Sequence, residues 1–428
     1  MTLVRKVKNN TFLKNIFTLS LGTIFAQLIL FFTSPIITRI YTAEQFGAYT
    51  LVVTLVSMFT PVINAKYDMG IVVADNDKEA SALTVGSLGI QLSVIALVGT
   101  GLAAVLAMGV TSYSAIGLWC FMALPLLWFN GIINILSSYN NRHQQFKIIA
   151  SVTFMRSLLQ AAGQIGFGLL KMGMAGLLLA QLLSTLMGIT RQAKHAFANL
   201  KDFLQVTRMD VIAALKKYKN QALFSTPASL INAFSYSVLN IFIGNLYGLA
   251  EVGYYYISYR LLGMPIQLIS MNVAKVYLSR ATEERQRTGK FVHAFRKTLL
   301  LLTAASIPMF FLVAVLSPKV IGVLFGPGWE KAGYYISLLT PMFAAKFIVT
   351  SLTVSFVVAG KQKYDIFLQI GFLIESVAAY ILALSFGWSI TAFLLTISIL
   401  YSINYLVVLY LVYQSSKHVN PETARTTE

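Results

Sequence analysis

The sequence predicts an all-α polytopic membrane protein, with about twelve transmembrane helices in two six-helix lobes related as a parallel repeat around a central cavity. The first observation is composition: 57% of the 428 residues are hydrophobic and 11% are charged, whereas soluble proteins carry about 25% charged residues. The second is two long stretches without formal charge, residues 80–141 and 376–416. Because about 20 apolar residues cross a bilayer as a helix, each stretch accommodates two spans and a turn.

Helical spans are favoured over strands, because the apolar segments lack the period-two alternation of polar and apolar residues that is typical of membrane strands. The predicted spans are residues 15–37, 46–65, 82–108, 113–138, 148–170, 173–191, 221–246, 252–274, 298–317, 333–358, 365–386 and 389–413.

The third observation is a repeated turn. The stretches "TRIYTAEQFGAYT" and "GNLYGLAEVGYYY" have the same spacing of two tyrosines and a glycine, at an offset of 206 residues. The matched positions are Tyr41, Gly47 and Tyr49 in the first copy and Tyr247, Gly253 and Tyr255 in the second. Each half contains six spans, an even number, so both halves start from the same side of the membrane. The repeat is therefore parallel, with its axis along the membrane normal. The two glycines are expected to allow a tight re-entry into the membrane.

This repeat divides the chain into an N-terminal six-helix lobe (1–191), a cytoplasmic amphipathic linker (192–220), a C-terminal six-helix lobe (221–413) and a cytoplasmic tail (414–428). Apolar side chains of the linker fall roughly on one helical face: Phe203, Leu204, Val211, Ile212 and Leu215. Such a face predicts a helix that lies in the cytoplasmic interface of the membrane.

The positive charge is distributed unevenly. Of the 33 Lys and Arg residues, 26 fall in segments that are cytoplasmic if the N-terminus is cytoplasmic, and four (Arg39, Lys171, Lys319 and Lys331) fall in outer loops. This asymmetry follows the positive-inside rule and places both termini in the cytoplasm. The net charge of +18 is then explained by topology and by anionic lipid headgroups, without a nucleic-acid partner.

Polar side chains form stripes on predicted spans. Span 7 carries Ser225, Ser229, Asn232, Tyr236 and Asn240, and span 5 carries Thr153, Arg156, Gln160 and Gln164. The spacing by three and four residues places each set on one helical face. Faces rich in amides and hydroxyls suit a hydroxyl-rich ligand such as a sugar; the alternative is hydrogen bonding between helices.

Four formal charges fall within predicted spans: Arg156, Arg260, Lys346 and Glu375. Each costs about 2.5–3.5 kcal/mol at a helix centre, so each needs a wet cavity or a partner. Lys346 and Glu375 lie on successive antiparallel spans and could form a structural ion pair. The functional alternative is that the cations receive an anionic headgroup while Glu375 loses and gains a proton. Three cations against one acid predict a cavity that attracts anions.

Motifs of catalysis are absent from the sequence. It contains no Walker P-loop, no His-Glu-x-x-His zinc pattern and no nucleophile elbow. All four histidines (His143, His195, His293 and His418) fall in predicted cytoplasmic segments, which excludes a histidine proton relay across the membrane. We therefore expect no catalytic residues, metal or cofactor, and a protein that is not an enzyme.

Several stretches resemble the polysaccharide-unit flippases, the O-antigen and capsule repeat-unit translocases of the multidrug, oligosaccharidyl-lipid and polysaccharide exporter superfamily. They are "SPIITRIYTAEQFGAYTLVVTLVSM", "KYDMGIVVADNDKEASAL", "YNNRHQQFKIIA", "LYGLAEVGYYYISYRLL" and "LFGPGWEKAGYYISLLTP". The likeness runs nearly end to end, and the order and spacing of these motifs are more specific than any one of them.

The resemblance implies alternating access, and turnover of a polyprenyl-pyrophosphate-linked oligosaccharide from the cytoplasmic to the periplasmic leaflet of the bacterial inner membrane. It implies that cavity cations meet the phosphates, and Arg156, Arg260 and Lys346 are the candidates. Coupling to H+ or Na+ is a further expectation of the family. Other polysaccharide assembly proteins are possible partners.

The remaining candidate residues follow from position. Gln160, Asn232 and Asn240 are expected to bind the substrate. Glu375 is the deep acid available for ion coupling, and Asp68, at the cytoplasmic end of span 2, is a weaker candidate. Arg39 lies at the periplasmic mouth, where it either meets the pyrophosphate on exit or anchors a lipid headgroup.

Three other functions compete. A drug or organic-cation antiporter of the same superfamily would need acids in its cavity, which the excess of cations disfavours. A membrane polymerase or ligase would need a large outer loop, and the predicted outer loops are short. A lipid II flippase usually has more than twelve spans.

Overall fold

The structure, a computed structural model, describes residues 11–109, 111–198, 203, 205–361 and 363–417, without the side chains of residues 11–20, 111, 195–198 and 221. Within these ranges every regular element is a helix. The chain divides into two compact units: unit 1 comprises Met1–Ala233 and Gly248–Val252, and unit 2 comprises Phe234–Tyr247 and Gly253–Glu428.

Among the described residues, nine helices precede residue 220. They are α1 (Thr11–Ile40), α2 (Ala43–Phe59), α3 (Tyr67–Val73), α4 (Asp77–Ala107), α5 (Thr111–Ile116), α6 (Ala123–Arg142), α7 (Phe146–Leu169), α8 (Gly173–Ala198) and α9 (Arg208–Lys217), with a 3₁₀ segment at Gly117–Met122. In unit 1, α7 packs mainly against α1 and α8, and α8 also contacts α6.

The second half contains eight helices among the described residues. They are α10 (Thr226–Tyr247), α11 (Leu249–Pro265), α12 (Met271–Thr288), α13 (Val292–Phe325), α14 (Glu330–Leu352), α15 (Ser355–Ala359), α16 (Lys363–Phe386) and α17 (Ile390–Lys417), with π-helical turns at Gln221–Ser225 and Ile266–Ser270. In unit 2, α14 packs mainly against α13 and α17.

The prediction of an all-α polytopic membrane protein is confirmed. Within the described ranges, ten helical segments are long and apolar enough to cross a membrane. The predicted spans 46–65 and 148–170 are not among them. The first coincides with α2, which has 17 residues and ends at Phe59. The second coincides with α7, whose 24 residues are sufficient in length, but Arg156, Gln160 and Gln164 lower its mean hydropathy.

In both copies the repeated turn lies between the two predicted spans, but Gly47 and Gly253 are inside helices, so the expected role of these glycines in the turn is wrong. The chain reverses before Thr42 and at Gly248, which are also 206 residues apart. Thr42 forms a capping box with Gln45 at the start of α2. Gly248 instead adopts a φ of 93°, in the region that favours glycine. Gly47 lies inside α2, because the helix already starts after the cap at Thr42, five residues earlier.

The linker helix α9 packs against unit 1, so the prediction that its apolar face lies in the membrane interface is wrong for most of that face. Val211 and Leu215 contact a buried cluster that includes Tyr67, Ile71 and Leu83. The contact is close because Gly86 has no side chain: a Cβ there would lie 3.0 Å from Leu215 Cδ2.

The remaining residues of the predicted apolar face differ in their surroundings. Phe203 packs against the same cluster, whereas Ile212 is 60% exposed. Leu204 lies outside the described residues.

Ion pairs hold α9 to the loop before α4 and to the first turn of α4. Lys217 Nζ lies 2.6 Å from Asp75 Oδ2 and 2.6 Å from Glu79 Oε1, and Lys78 Nζ lies 2.9 Å from Asp210 Oδ1. Hydrogen bonds from Lys78 and Thr207 lower the pKa of Asp210 from 3.8 to about 2, and Lys217 lowers the pKa of Asp75. Both carboxylates therefore stabilise the docked helix in their charged form.

We predict that the docking of α9 weakens in acid. A carboxyl group with a lowered pKa contributes its full stabilisation above its unfolded value and loses it as the pH falls through the folded value. Amide hydrogen exchange in Arg208–Lys217 should therefore accelerate, beyond its intrinsic pH dependence, as the pH falls from 3.8 towards about 2.

The same amides should exchange faster at neutral pH in Lys217→Gln, and faster in wild type at about 1 M salt, where the Debye length is about 3 Å. Lys219→Gln is the matched control, since Lys219 is exposed. Equal protection in Lys217→Gln and Lys219→Gln would contradict a role for these ion pairs.

Candidate functional site

Unit 1 holds a half-buried arginine near the middle of α7. The guanidinium Nη2 of Arg156 donates to Asn130 Oδ1 on α6 at 3.0 Å and to Thr185 Oγ1 on α8 at 3.2 Å. Gly188 on α8 leaves space for the stem, because a Cβ there would lie 2.8 Å from Arg156 Cδ. The three helices thus position one cation through two neutral oxygens.

Arg156 has no acidic partner in the described part of the chain, where no ion pair includes it. Its contacts use Nη2, so its other N–H donors have no hydrogen-bond partner among the described residues. A guanidinium has five N–H donors in a planar fork that matches phosphate and carboxylate groups. This site can therefore bind an anion with its remaining donors.

Gln160 lies one helical turn from Arg156 and joins a second polar group. Its Nε2 donates to Tyr49 Oη at 3.3 Å, and the Tyr49 hydroxyl donates to Gln181 Oε1 at 2.5 Å. Gln181 and Thr185 are four residues apart on α8, so they lie on one face of that helix, and Thr185 is one of the two acceptors of Arg156. The structure thus brings two predicted site residues, Arg156 and Gln160, to one polar face.

Unit 2 holds a cation in an aromatic cage. The ammonium Nζ of Lys346, on α14, donates to Tyr259 Oη on α11 at 2.9 Å. Three ring centroids surround it: Tyr236 at 4.4 Å, Tyr259 at 5.0 Å and Phe343 at 5.4 Å. Aromatic faces attract cations through their quadrupoles, by about 0.5–2 kcal/mol each. The cage therefore stabilises the ammonium without neutralising its charge.

The ion pair considered between Lys346 and Glu375 does not form, since no such contact within 4.0 Å exists between these two described residues. The reason is helix packing: α14 lies mainly against α13 and α17, and α16, which carries Glu375, packs on α17. Asn404 of α17 is instead the polar neighbour of the Glu375 carboxyl group. Its Oε2 is buried without a hydrogen-bond partner.

Aromatic rings connect the cage to the helix of Glu375. Phe372 on α16 has ring-centroid distances of 6.4 Å to Tyr236, 4.6 Å to Tyr401 and 4.9 Å to Tyr405. The hydroxyls of Tyr401 and Ser376, the residue after Glu375, share a hydrogen bond of 2.7 Å. The cage and the carboxylate thus border the same packed aromatic cluster.

The other predicted site residues lie elsewhere in the two units. Arg260 follows Tyr259 on α11 and is half-buried, and Arg39 is exposed in the last turn of α1. Asn232 and Asn240 are half-buried on α10. Asp68 lies on the short helix α3, where desolvation raises the pKa of its carboxyl and the charge of Lys66 lowers it in part.

No sequence pattern singles out several of the residues that complete these sites. Three of them are single polar residues within mostly apolar helices: Asn130, Gln181 and Thr185. Phe343 cannot be distinguished in the sequence from an aromatic residue of the core. Tyr236 was visible as a member of the polar stripe on predicted span 7. The spacing of Gln181 and Thr185 by one helical turn is the one pattern that indicates a shared face.

Comparison with known proteins identifies a family and a fold for this chain. The family model described as "Polysaccharide biosynthesis protein" matches residues 36–333. The amylovoran biosynthesis protein AmsL of Erwinia amylovora is 23% identical over 117 residues, which is 27% of this chain and 30% of that relative's length.

Solved structures with the same fold include an inward-facing multidrug resistance MATE family transporter of the MOP superfamily (TM-score 0.67, 16% identity, covering 96% of each chain). The lipid II flippase MurJ, in an inward closed conformation, has a TM-score of 0.67 at 15% identity, covering 92% of this chain and 87% of that one. A MOP superfamily transporter from Pyrococcus furiosus has a TM-score of 0.62 at 15% identity, covering 94% and 95%. These likenesses establish the transporter fold.

We predict that Tyr259→Phe destabilises the protein by about 1–3 kcal/mol, because the ammonium of Lys346 loses its oxygen acceptor while the ring remains. In a Lys346→Met background the same substitution should be close to neutral. Thermal unfolding in detergent, read as a double-mutant cycle, measures the coupling between the two residues. Equal losses in both backgrounds would mean that Tyr259 acts through packing alone.

Proposed function

Because the chain belongs to the family of polysaccharide biosynthesis proteins, we propose that it is a flippase for polyprenyl-pyrophosphate-linked oligosaccharides. It moves these units from the cytoplasmic to the periplasmic leaflet of the bacterial inner membrane, for surface polysaccharide such as O-antigen or capsule. Both termini lie in the cytoplasm. The transporter fold and the polysaccharide role in the relative's name support this proposal.

The observation that carries the proposal is the pair of half-buried cations, Arg156 in unit 1 and Lys346 in unit 2. Each is held by neutral oxygens or aromatic rings. A cation in an apolar environment is costly unless it serves a ligand or has a partner. Neither has a carboxylate partner among the described residues, so the full positive charge remains available to a pyrophosphate group.

The proposed mechanism is alternating access, in which binding and release on opposite leaflets shift the population of two conformations. Arg156 in unit 1, and Arg260 and Lys346 in unit 2, are the proposed phosphate contacts, and amides and hydroxyls, including Gln160, Asn232 and Asn240, are the proposed sugar contacts. Arg39 meets the pyrophosphate as it leaves.

An ion gradient drives the return step in this proposal. Glu375 is the coupling site, because its Oε2 is buried without a hydrogen-bond partner and can take a proton or contribute to a Na+ site. Asp68 is the second candidate. Anionic lipid headgroups and other polysaccharide assembly proteins are the remaining proposed partners.

A multidrug or organic-cation antiporter is the second candidate function, since one of the similar structures is a multidrug resistance transporter. The buried charge disfavours it, because Arg156 and Lys346 would repel a cationic drug. Another similar structure is described by the reverse polarity of its binding pocket, which is in line with a change of substrate charge within the fold. A lipid II flippase shares the anionic carrier chemistry and differs in the sugar.

We predict that Arg156→Gln and Lys346→Gln each reduce flipping by roughly 10- to 100-fold, because a charge-assisted hydrogen bond contributes about 1.5–3 kcal/mol. The substrate is the glycolipid pool that accumulates in a gene-deletion strain. Purified protein in vesicles is loaded with this pool, and the fraction of glycan exposed to an added glycosidase is followed with time.

Lys319→Gln is the matched control, since it removes an exposed cation of unit 2. Wild-type flipping by both Arg156→Gln and Lys346→Gln would overturn the assignment of the phosphate site. Absence of a polyprenyl-linked oligosaccharide from the deletion strain would overturn the function itself.

We predict that Glu375→Gln removes the dependence of flipping on a proton gradient, because glutamine cannot take up and release a proton. In vesicles, a pH gradient across the membrane should accelerate wild type and leave the variant at its rate without a gradient. Asp68→Asn tests the second candidate in the same assay. An equal response of Glu375→Gln and wild type to the gradient would assign coupling elsewhere.

A further inference from the structure

A groove of about 310 Å³ lies between α12 and α13, entirely within unit 2. Its walls are one face of each helix: Val273, Val276, Tyr277 and Arg280 from α12, and Lys297 and Leu301 from α13. The two helices are antiparallel neighbours joined by a short turn at Gly289. Both segments, Leu249–Thr288 and Val292–Phe325, are apolar and long enough to cross a membrane.

The groove has both of its cations at one end, and most of the rest of its lining is apolar, apart from the side chains of Asn272 and Thr298 and the hydroxyl of Tyr277. Arg280 and Lys297 are respectively nine and eight residues from Gly289, so they lie at about the same level of the helix pair. Val276 and Leu301 lie one turn further from the turn, and Val273 about one more. The cations lie nearer the turn at Gly289, and most of the apolar side chains lie farther from it. This arrangement matches a phospholipid with its headgroup at the membrane surface.

The two cations have no partner of their own. No hydrogen bond or ion pair involves Arg280 or Lys297 among the described residues. The acids next to them on α12 are already engaged: Glu283 lies 4.0 Å from Arg287, and Glu284 accepts from the backbone amides of His293 and Ala294. Neither cation at the mouth of the groove therefore forms an ion pair with a carboxylate among the described residues.

The walls of the groove are fixed before any ligand arrives. The contacts of Glu284 tie the end of α12 to the first turn of α13 at 3.0 and 2.7 Å. Tyr277, which is buried, shares a hydrogen bond of 2.6 Å with Ser355. The lower walls remain open, since Val276 is 55% exposed and Leu301 is 61% exposed. A preformed groove binds with a smaller loss of conformational entropy.

We propose that this groove binds an anionic phospholipid, with its phosphate between Arg280 and Lys297 and one acyl chain along Val273, Val276 and Leu301. A guanidinium and an ammonium together suit a phosphate group. The apolar walls give the chain a surface that a free phosphate cannot use. The bound lipid stabilises the α12–α13 hairpin, and the proposal is independent of the transported substrate.

The test is lipid binding to the full-length, delipidated protein in detergent, measured by native mass spectrometry. Dioleoyl phosphatidylglycerol should bind more tightly than dioleoyl phosphatidylcholine, which has the same chains and no net charge. In Arg280→Gln/Lys297→Gln the affinity for phosphatidylglycerol should fall roughly 10- to 30-fold, since each cation near a membrane surface contributes about 1 kcal/mol. Affinity for phosphatidylcholine should be unchanged.

The matched control is Lys290→Gln/Lys363→Gln, which removes two exposed cations of unit 2 outside the groove and should keep wild-type affinity. Val276→Trp keeps the charge and fills the apolar part, so it should weaken both lipids. Thermal unfolding of each variant without added lipid verifies that it is folded.

Three results would overturn the proposal. The first is phosphatidylglycerol affinity within twofold of wild type in Arg280→Gln/Lys297→Gln. The second is competition by glycerol phosphate as effective as that by phosphatidylglycerol, which would indicate an anion site without a lipid chain. The third is preference for undecaprenyl pyrophosphate over phosphatidylglycerol, which would assign the groove to the carrier of the transported glycan.

Discussion

The cost of holding a charged group in an apolar bilayer is the constraint on which the candidate sites of this protein depend. Lipid offers no water to solvate a guanidinium, an ammonium or a carboxylate, so the surrounding helices must supply the contacts that water would supply. The same absence of water forces the backbone to satisfy its own hydrogen bonds, which is why every described regular element is a helix.

The two units meet this constraint with different chemistry. Arg156 is a planar fork of donors, and it takes two side-chain oxygens from neighbouring helices. Lys346 is a compact ammonium, and it takes one phenol oxygen and the faces of three rings. Both solutions use groups without formal charge. These neutral groups lower the free energy of burying the cation, and they do not neutralise its charge, so the cation can still attract an anion.

Charges in the loops and at the ends of the apolar segments follow the opposite rule. The described ion pairs join the loop before α4 and the first turn of α4 to α6 and α9, or lie within α12. These cations are compensated by nearby carboxylates, and their role is to hold the linker helix and adjacent turns in place. Arg156, Lys346, Arg280 and Lys297 form no ion pair among the described residues, and these are the cations that we propose to meet an anionic ligand.

The sequence by itself determined the helices, the approximate limits of the spans, the repeat at an offset of 206 residues and the identity of the buried charges. These follow from hydropathy, periodicity and charge, which are properties of residues close together in the chain. The polar residues of α7 were also visible, and their spacing placed Arg156 and Gln160 on one face.

Only the tertiary structure decided the partners, because contacts between residues far apart in sequence leave no local pattern. Asn130 and Thr185 contact Arg156 across helices, and Tyr259 contacts Lys346 across 87 residues. Helix packing also separated Lys346 from Glu375, although they lie on successive spans. The close packing of α9 requires the glycine at position 86, because a side chain there would collide with Leu215. An apolar helical face looks the same in sequence whether it meets a membrane or a protein core, and the surface available to it decides between them.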